Sequence, residues 1–205
     1  MHEMIGIMAD SHGNPEAIKK AITLLQHKGC STIYHLGDIC DSLDTASVES
    51  CIRILIKERV LSIKGNNDHA ILAGLSGNPV KAISLASLKY LDELPLQREY
   101  REAIFVHSLP FVRELGLSCM VRALDGGSVQ RFFNRFPDRI LFRGHSHGPE
   151  MVWKGRKHKE QTPVPLNQEV RLTDRIPCII TCGAITHGIC SVWRPEQMTL
   201  SCYSI

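Results

Sequence analysis

Apolar residues run unbroken from Met4 to Ala9, as in a strand covered on both faces. Asn14-Pro15-Glu16 follows. Asn as cap, Pro at the first helical position and an acid in the first turn predict a helix start. Ala17, Ile18, Ala21, Leu24 and Leu25 then recur at helical spacing, and Gly29 offers an end. A second strand is predicted over Ile33 to Leu36, a second helix over Thr45 to Glu58 and a third strand over Val60 to Ile63. Strand and helix alternate, which predicts parallel pairing in an α/β sheet.

The pattern then changes. Leu85 to Leu94 reads as a helix stopped by Pro95, and Leu96 to Tyr100 with Ala103 to His107 reads as a hairpin around Arg101-Glu102. Val129 to Phe136 is helical in pattern and Arg139 to Phe142 is strand-like. Beyond Gly148 come short β-like pieces: Met151 to Trp153, Ile176 to Thr181, Ile189 to Trp193 and Thr199 to Tyr203. The second half therefore predicts mixed or antiparallel strands. Pro110 to Gly127 and Gly155 to Thr173 read as loops or insertions. At 205 residues, one domain over 1–205 with an insertion at 110–127 is expected.

Composition alters this little. Apolar residues make up 43% and charged residues 22%, so a sizeable core is available. The net charge of +3 is compatible with an anionic substrate and too small to indicate nucleic acid. No apolar run approaches the roughly 20 residues of a membrane span. The N-terminus lacks a basic segment followed by an apolar one, so a cytoplasmic location is expected. None of the eight cysteines forms a C-x-x-C pair, and they read as reduced, buried and structural.

Chemistry collects where the apolar runs stop. Asp10-Ser11-His12 follows the first strand, Gly37-Asp38 the second and Gly65-Asn66-Asn67-Asp68 the third. His107 closes the run from Ala103, and Gly144-His145-Ser146-His147 follows the run from Arg139. Ligands of open α/β sheets gather outside the carboxyl ends of strands, so these ends converge if the strands lie side by side. Two carboxylates, one amide and four imidazoles suit transition metals better than Ca²⁺ or Mg²⁺. A set without thiolate does not resemble a structural zinc site. Seven donors are too many for one ion with an open position and about right for two ions sharing a carboxylate. Asp10/His12 and His145/His147 are two residues apart, which in extended chain puts both side chains on one side, about 6–7 Å apart.

In this order, D-x-H, G-D, G-N-x-[DE], H and G-H-x-H, the blocks resemble the calcineurin-like metallophosphoesterases. The resemblance spans residues 10 to 147. It implies an αββα sandwich of two mixed β-sheets flanked by helices. It implies that Asp10, His12, Asp38 and His147 hold one metal and Asp38, Asn66, His107 and His145 the other, with Asp38 shared. The chain's size is closer to the family's compact prokaryotic phosphodiesterases than to its serine/threonine phosphatases. The expected function is hydrolysis of a small phosphoester, diester or monoester, by a metal-bridging hydroxide. Two divalent transition-metal ions are expected, manganese first, with iron, zinc, nickel or cobalt as the others. The alternative is a non-catalytic scaffold on the same fold, as in the retromer subunit that has lost key ligands; here all seven positions carry competent donors.

Two positions depart from the larger family phosphatases. Asn67 stands where they carry a histidine, and an amide donates a hydrogen bond but supplies no proton near pH 7. Asp41 is followed by Ser42 in place of their arginine. Asn67 and Asp68 are the expected catalytic residues, Asp68 by orienting a ligand or water. His69 and His187 are candidate proton donors, and His35 reads as a packed histidine. Arg113, Arg122 and Arg143 are weighed as phosphate contacts against ordinary solvated charge. Lys154 to Lys159 reads as a solvated basic loop, and Trp153 and Trp193 as sheet packing.

Overall fold

A computed structural model describes residues 3–75, 83–155 and 159–205. Of the basic run Lys154 to Lys159, residues 156–158 lie outside these. The chain folds into two six-stranded mixed sheets with helices on their outer faces, as the family resemblance implies.

The first half follows the hydrophobic pattern. Strand β1 is Ile5–Met8 and helix α1 is Pro15–His27, with the Asn14 side chain accepting the Ala17 N–H at 3.0 Å. Strand β2 is Thr32–His35, helix α2 is Val48–Lys57 and strand β3 is Leu61–Ser62. Helix α2 starts later than Thr45 because the Asp44 carboxylate takes the Ala46 N–H, so a side-chain turn replaces the first helical turn. Helix α3, Asn66–Leu72, was not legible: its seven residues carry no apolar repeat, and it begins on a candidate ligand.

Helix α4 is Leu85–Glu93; strands β4, Gln97–Tyr100, and β5, Ala103–Val106, form the expected hairpin, with Tyr100 opposite Ala103. Residues 110–127 are not plain loop. They contain helix α5, Val112–Leu115, and a 3-10 turn, Gly116–Met120, and they bury Phe111, Cys119 and Met120. Helix α6 is Gly126–Arg135 and strand β6 is Ile140–Arg143. Strands β7, Pro149–Lys154, β8, Lys159–Pro163, and β9, Glu169–Arg171, follow. The reading of 155–173 as loop is thereby corrected. Both β8 and β9 are sheet-edge strands with mostly exposed polar residues, so no apolar alternation announces them. Strands β10, Cys178–Cys182, β11, Ile189–Arg194, and β12, Thr199–Ser204, complete the fold.

One sheet has the order β3-β2-β1-β11-β12-β9, the other β4-β5-β6-β10-β7-β8. Pairing is parallel across β3-β2-β1 and β5-β6-β10 and antiparallel elsewhere. The central core lies between the sheets: Ile5, Ile7 and Tyr34 from one meet Phe105, Phe142 and Ile180 from the other. Tyr34 and Phe105 stack across this gap with ring centroids 4.1 Å apart. A second core packs α1, α2 and α4 on the outside of the first sheet, and a third packs α6 and the 110–120 segment on the second. Trp193 is fully buried in the central core, and the Arg175 guanidinium covers the Trp153 ring at 4.9 Å. All eight cysteines are buried and free.

Candidate metal centre

The β1–β2 pairing continues past both strand ends. The Asp10 N–H donates to Gly37 O at 3.1 Å, His12 N–H to Asp38 O at 3.0 Å and Gly13 N–H to Ile39 O at 2.9 Å. These bonds fix Asp10 and His12 against Asp38. In the other sheet the Gly144 N–H donates to His107 O at 3.0 Å, so His107 and the 144–148 segment are tied in the same way.

Hydrogen bonds also tie the two sheets to each other at the site. The His145 N–H points at the Asp10 carboxylate, 3.1 and 3.0 Å from its oxygens. His107 Nδ1 lies 2.8 Å from Leu36 O. A carbonyl only accepts, so Nδ1 carries the proton and Nε2 keeps its lone pair for the site, the usual arrangement of a metal-binding histidine.

All seven candidate ligands are brought together. His12 Nε2 and His147 Nε2 are 3.1 Å apart. Asn66 Oδ1 lies 3.0 Å from His107 Nε2 and 3.1 Å from His145 Nδ1, and those two nitrogens are 3.2 Å apart. Asp38 Oδ1 is 3.5 Å from His107 Nε2. Ligand atoms of Asp10, His12 and His147 fall within 4.8 Å of one another, as do those of Asp10, Asp38 and His107. With metal–ligand bonds of about 2.1 Å, neighbouring ligand atoms of one ion lie about 3.0–3.4 Å apart. The donor spacing therefore fits divalent cations.

The electrostatics fit as well. Asp10 and Asp38 are buried side by side. Burial, and then the Asp38 charge, push the Asp10 carboxyl up to about 8. Burial and neighbouring charge hold the His145 ring down at about 4, and burial holds His107 below its ordinary value, so both are neutral donors. Buried carboxyl oxygens beside neutral imidazole nitrogens are the mixed donor set that a divalent transition metal takes.

Backbone strain concentrates at the same residues. Of the nine non-glycine residues with positive φ among those described, five are Asp10, His12, Asp38, His145 and His147. Such conformations persist only where the surroundings over-determine them. Two glycines permit the close approach. A Cβ at Gly65 would stand 2.1 Å from the Asp38 nitrogen, and one at Gly144 would stand 2.8 Å from Asp10 Oδ2.

The residues around the candidate ligands are themselves held by hydrogen bonds. Asp68 is fully buried and accepts from the Gly65 N–H at 2.9 Å and the Cys40 N–H at 3.0 Å, pinning the loops that carry Asn66 and Asp38. Asn67 donates to Asp38 and accepts from Ser42 through the Ser42 N–H at 3.3 Å and hydroxyl at 2.6 Å. His35 is fully buried with Nε2 2.9 Å from Ser11 Oγ, so it braces the Asp10–His12 turn from behind.

Residues 4–164 match the calcineurin-like phosphoesterase superfamily domain. The chain belongs to that superfamily. Membership supports a metal-dependent phosphoester hydrolase role for this phosphoesterase domain. Its fold is that of a metallophosphoesterase from Sphaerobacter thermophilus, with 20% identity, a TM-score of 0.79 and coverage of 100% of this chain and 89% of that one. A putative diadenosine tetraphosphatase shares it at 16% identity and a TM-score of 0.61, over 99% of this chain and 95% of that one. A novel archaeal phosphodiesterase shares 16% identity at a TM-score of 0.50, over 98% and 99% of the two chains. No curated protein matches the sequence.

Around the candidate metal centre of this phosphoesterase domain the remaining candidates separate. The His187 ring meets the His147 ring edge-on at 5.1 Å and is exposed, whereas His69 lies on α3. Arg113 and Arg122 are exposed. Arg143 is only 1% exposed, which corrects its reading as solvated charge. Ser108, Ser146 and Thr181, which bind Arg143, carried no signal in the sequence, since isolated hydroxyl residues announce nothing. No helix among the described residues is long and apolar enough to cross a membrane.

Proposed function

We propose that this protein hydrolyses small phosphoesters, monoester or diester, at a pair of divalent ions, manganese before iron, zinc, nickel or cobalt. The observation that carries this reading is the convergence of Asp10, His12, Asp38, Asn66, His107, His145 and His147 with donor atoms at coordination spacing. Asp10, His12, Asp38 and His147 would hold one ion; Asp38, Asn66, His107 and His145 would hold the other, with Asp38 shared.

A bound pair would supply the positive charge that makes a water acidic near neutrality and offsets charge in the in-line transition state. The chain's own residues do the rest. Leu36 O sets the His107 tautomer, and the Asp10 carboxylate anchors the backbone of His145. Asn67 spends one amide N–H on Asp38 and keeps a second for a phosphoryl oxygen. Asp68 keeps the Asn66 and Asp38 loops in register.

The test is elemental analysis of the purified protein, then hydrolysis of aryl phosphate mono- and diesters with each divalent metal added back to metal-free protein. Two bound ions and hydrolysis of at least one ester class are expected. Protein that takes up no metal and cleaves neither class would instead be a scaffold on this fold.

A further inference from the structure

The segment carrying His145 and His147 is an arch under strain. The Ser146 N–H donates to Gly144 O at 2.8 Å and the Gly148 N–H donates to Ser146 O at 2.7 Å. Each bond spans two residues, and the central residues, His145 and His147, have φ of 67° and 58°. These are two successive γ-turns of the rare positive-φ kind, which is strained. Something outside the arch must hold Ser146, the residue the two turns share.

Arg143 does so. It is the last residue of β6, and its side chain lies inside the protein. Its Nη1 donates to Ser146 Oγ at 2.8 Å and to Thr181 Oγ1 at 3.1 Å. Its other edge grips Ser108, Nε donating to the carbonyl and Nη2 to the hydroxyl, each at 3.0 Å. Ser108 directly follows His107, and Thr181 is paired with Arg143 across β6–β10. All four bonds go to uncharged groups. The Asp10 and Glu150 charges favour its ionised form, but neither carboxylate accepts one of these four bonds, so ion pairing alone does not explain where the guanidinium is held. The flat fork of donors does: one edge reaches the residue after His107, and one reaches the middle of the arch.

We propose that Arg143 is a positioning residue of the metal centre, locking the His107 loop and the His145–His147 arch to each other at ligating distance. This rests on the metal-centre reading above. Lysine preserves the charge and loses the fork, because its donors radiate from one point and cannot span Ser108 and Ser146 together. Charge and geometry are therefore separable by substitution.

The experiment compares wild type with Arg143→Lys, Arg143→Met and Ser146→Ala as metal-free proteins titrated with Mn²⁺ by calorimetry. The visible spectrum with Co²⁺ reports ligand geometry, and thermal unfolding of the metal-free proteins reports the fold. Wild type takes up two ions. Both Arg143 variants bind about 10- to 100-fold more weakly, the range for loss of a partner that orients ligands, with an altered Co²⁺ spectrum. Ser146→Ala shifts the same way by less. Arg143→Lys binding both ions as wild type does, with an unchanged spectrum, overturns the role even if its melting temperature falls. Should both Arg143 variants fail to fold, Ser146→Ala decides: weakened binding supports the role, and wild-type affinity overturns it. A wild type that takes up no ion overturns the metal-centre reading together with this one.

Discussion

Asn67 grips Asp38 at both carboxylate oxygens: its backbone N–H donates to Oδ1 at 2.8 Å and its side-chain Nδ2 donates to Oδ2 at 2.7 Å. Asn67 is itself fixed by Ser42. The orientation of the carboxylate proposed to serve both ions is thus set by a neighbour that is not itself one of the seven candidate ligands.

Asp38→Asn removes the charge and turns an acceptor into a donor facing Asn67. It is expected to lose most bound metal and at least about 100-fold in turnover. Asn67→Ala keeps the carboxylate and the backbone bond to Oδ1 and loses only the side-chain bond to Oδ2, so up to about tenfold weaker metal binding is expected. Elemental analysis and initial rates read both, and wild-type metal content and turnover in Asp38→Asn would exclude the shared role.

Gly65→Ala places a methyl group 2.1 Å from the Asp38 nitrogen and 2.2 Å from Oδ1. These are backbone and ligand atoms with no freedom to retreat. The variant is expected to melt well below wild type and to bind metal poorly. Gly127→Ala, where the nearest atom is 3.5 Å away in a helix, should melt at the wild-type temperature or above. Equal melting temperatures in all three proteins would refute the crowding argument.

Metal uptake is expected to expel a proton. Burial and the neighbouring Asp38 push the Asp10 carboxyl up to about 8, so at pH 7 it is mostly protonated in metal-free protein. A cation binds the ionised form, so affinity should rise with pH up to about 8 and fall below it. The neutral rings of His107 and His145 have no proton to lose there. Calorimetric titrations at pH 7 in two buffers of different ionisation heat count the protons, and a count of zero contradicts the Asp10 assignment.

His187 lies against His147, while His69 has no such contact described. His187→Gln is therefore expected to lower turnover about 100-fold with metal content unchanged, and His69→Gln to leave it within about twofold. Matching pH–rate profiles for His187→Gln and wild type would remove His187 from the chemistry.

The cysteines should be inert. Burial pushes Cys30 and Cys202 up to about 11 and Cys178 and Cys190 up to about 12. At pH 8 the most acidic of these four is thiolate in about one part in a thousand. Native protein should take up no iodoacetamide at any of the eight positions and denatured protein should take up eight, counted by mass spectrometry.

The candidate ligands were legible in the sequence because five apolar runs each stop at a residue able to bind metal, and parallel pairing brings the ends of β1, β2 and β3 together in one sheet and those of β5 and β6 together in the other. The alternating strands and helices of the first half were legible for a related reason: burial on one or two faces imposes a period that local sequence must carry. Helix α3 and the edge strands β8 and β9 were not, because a helix of seven residues and strands facing water need no apolar repeat. Nor could sequence show what surrounds the ligands. The bond from Leu36 O to His107, the clasp of Asn67 on Asp38 and the fork of Arg143 across Ser108, Ser146 and Thr181 join residues up to 71 positions apart. Hydrogen bonds between polar side chains have no periodicity. They depend on where two sheets meet, and only the packed core between the sheets decides that.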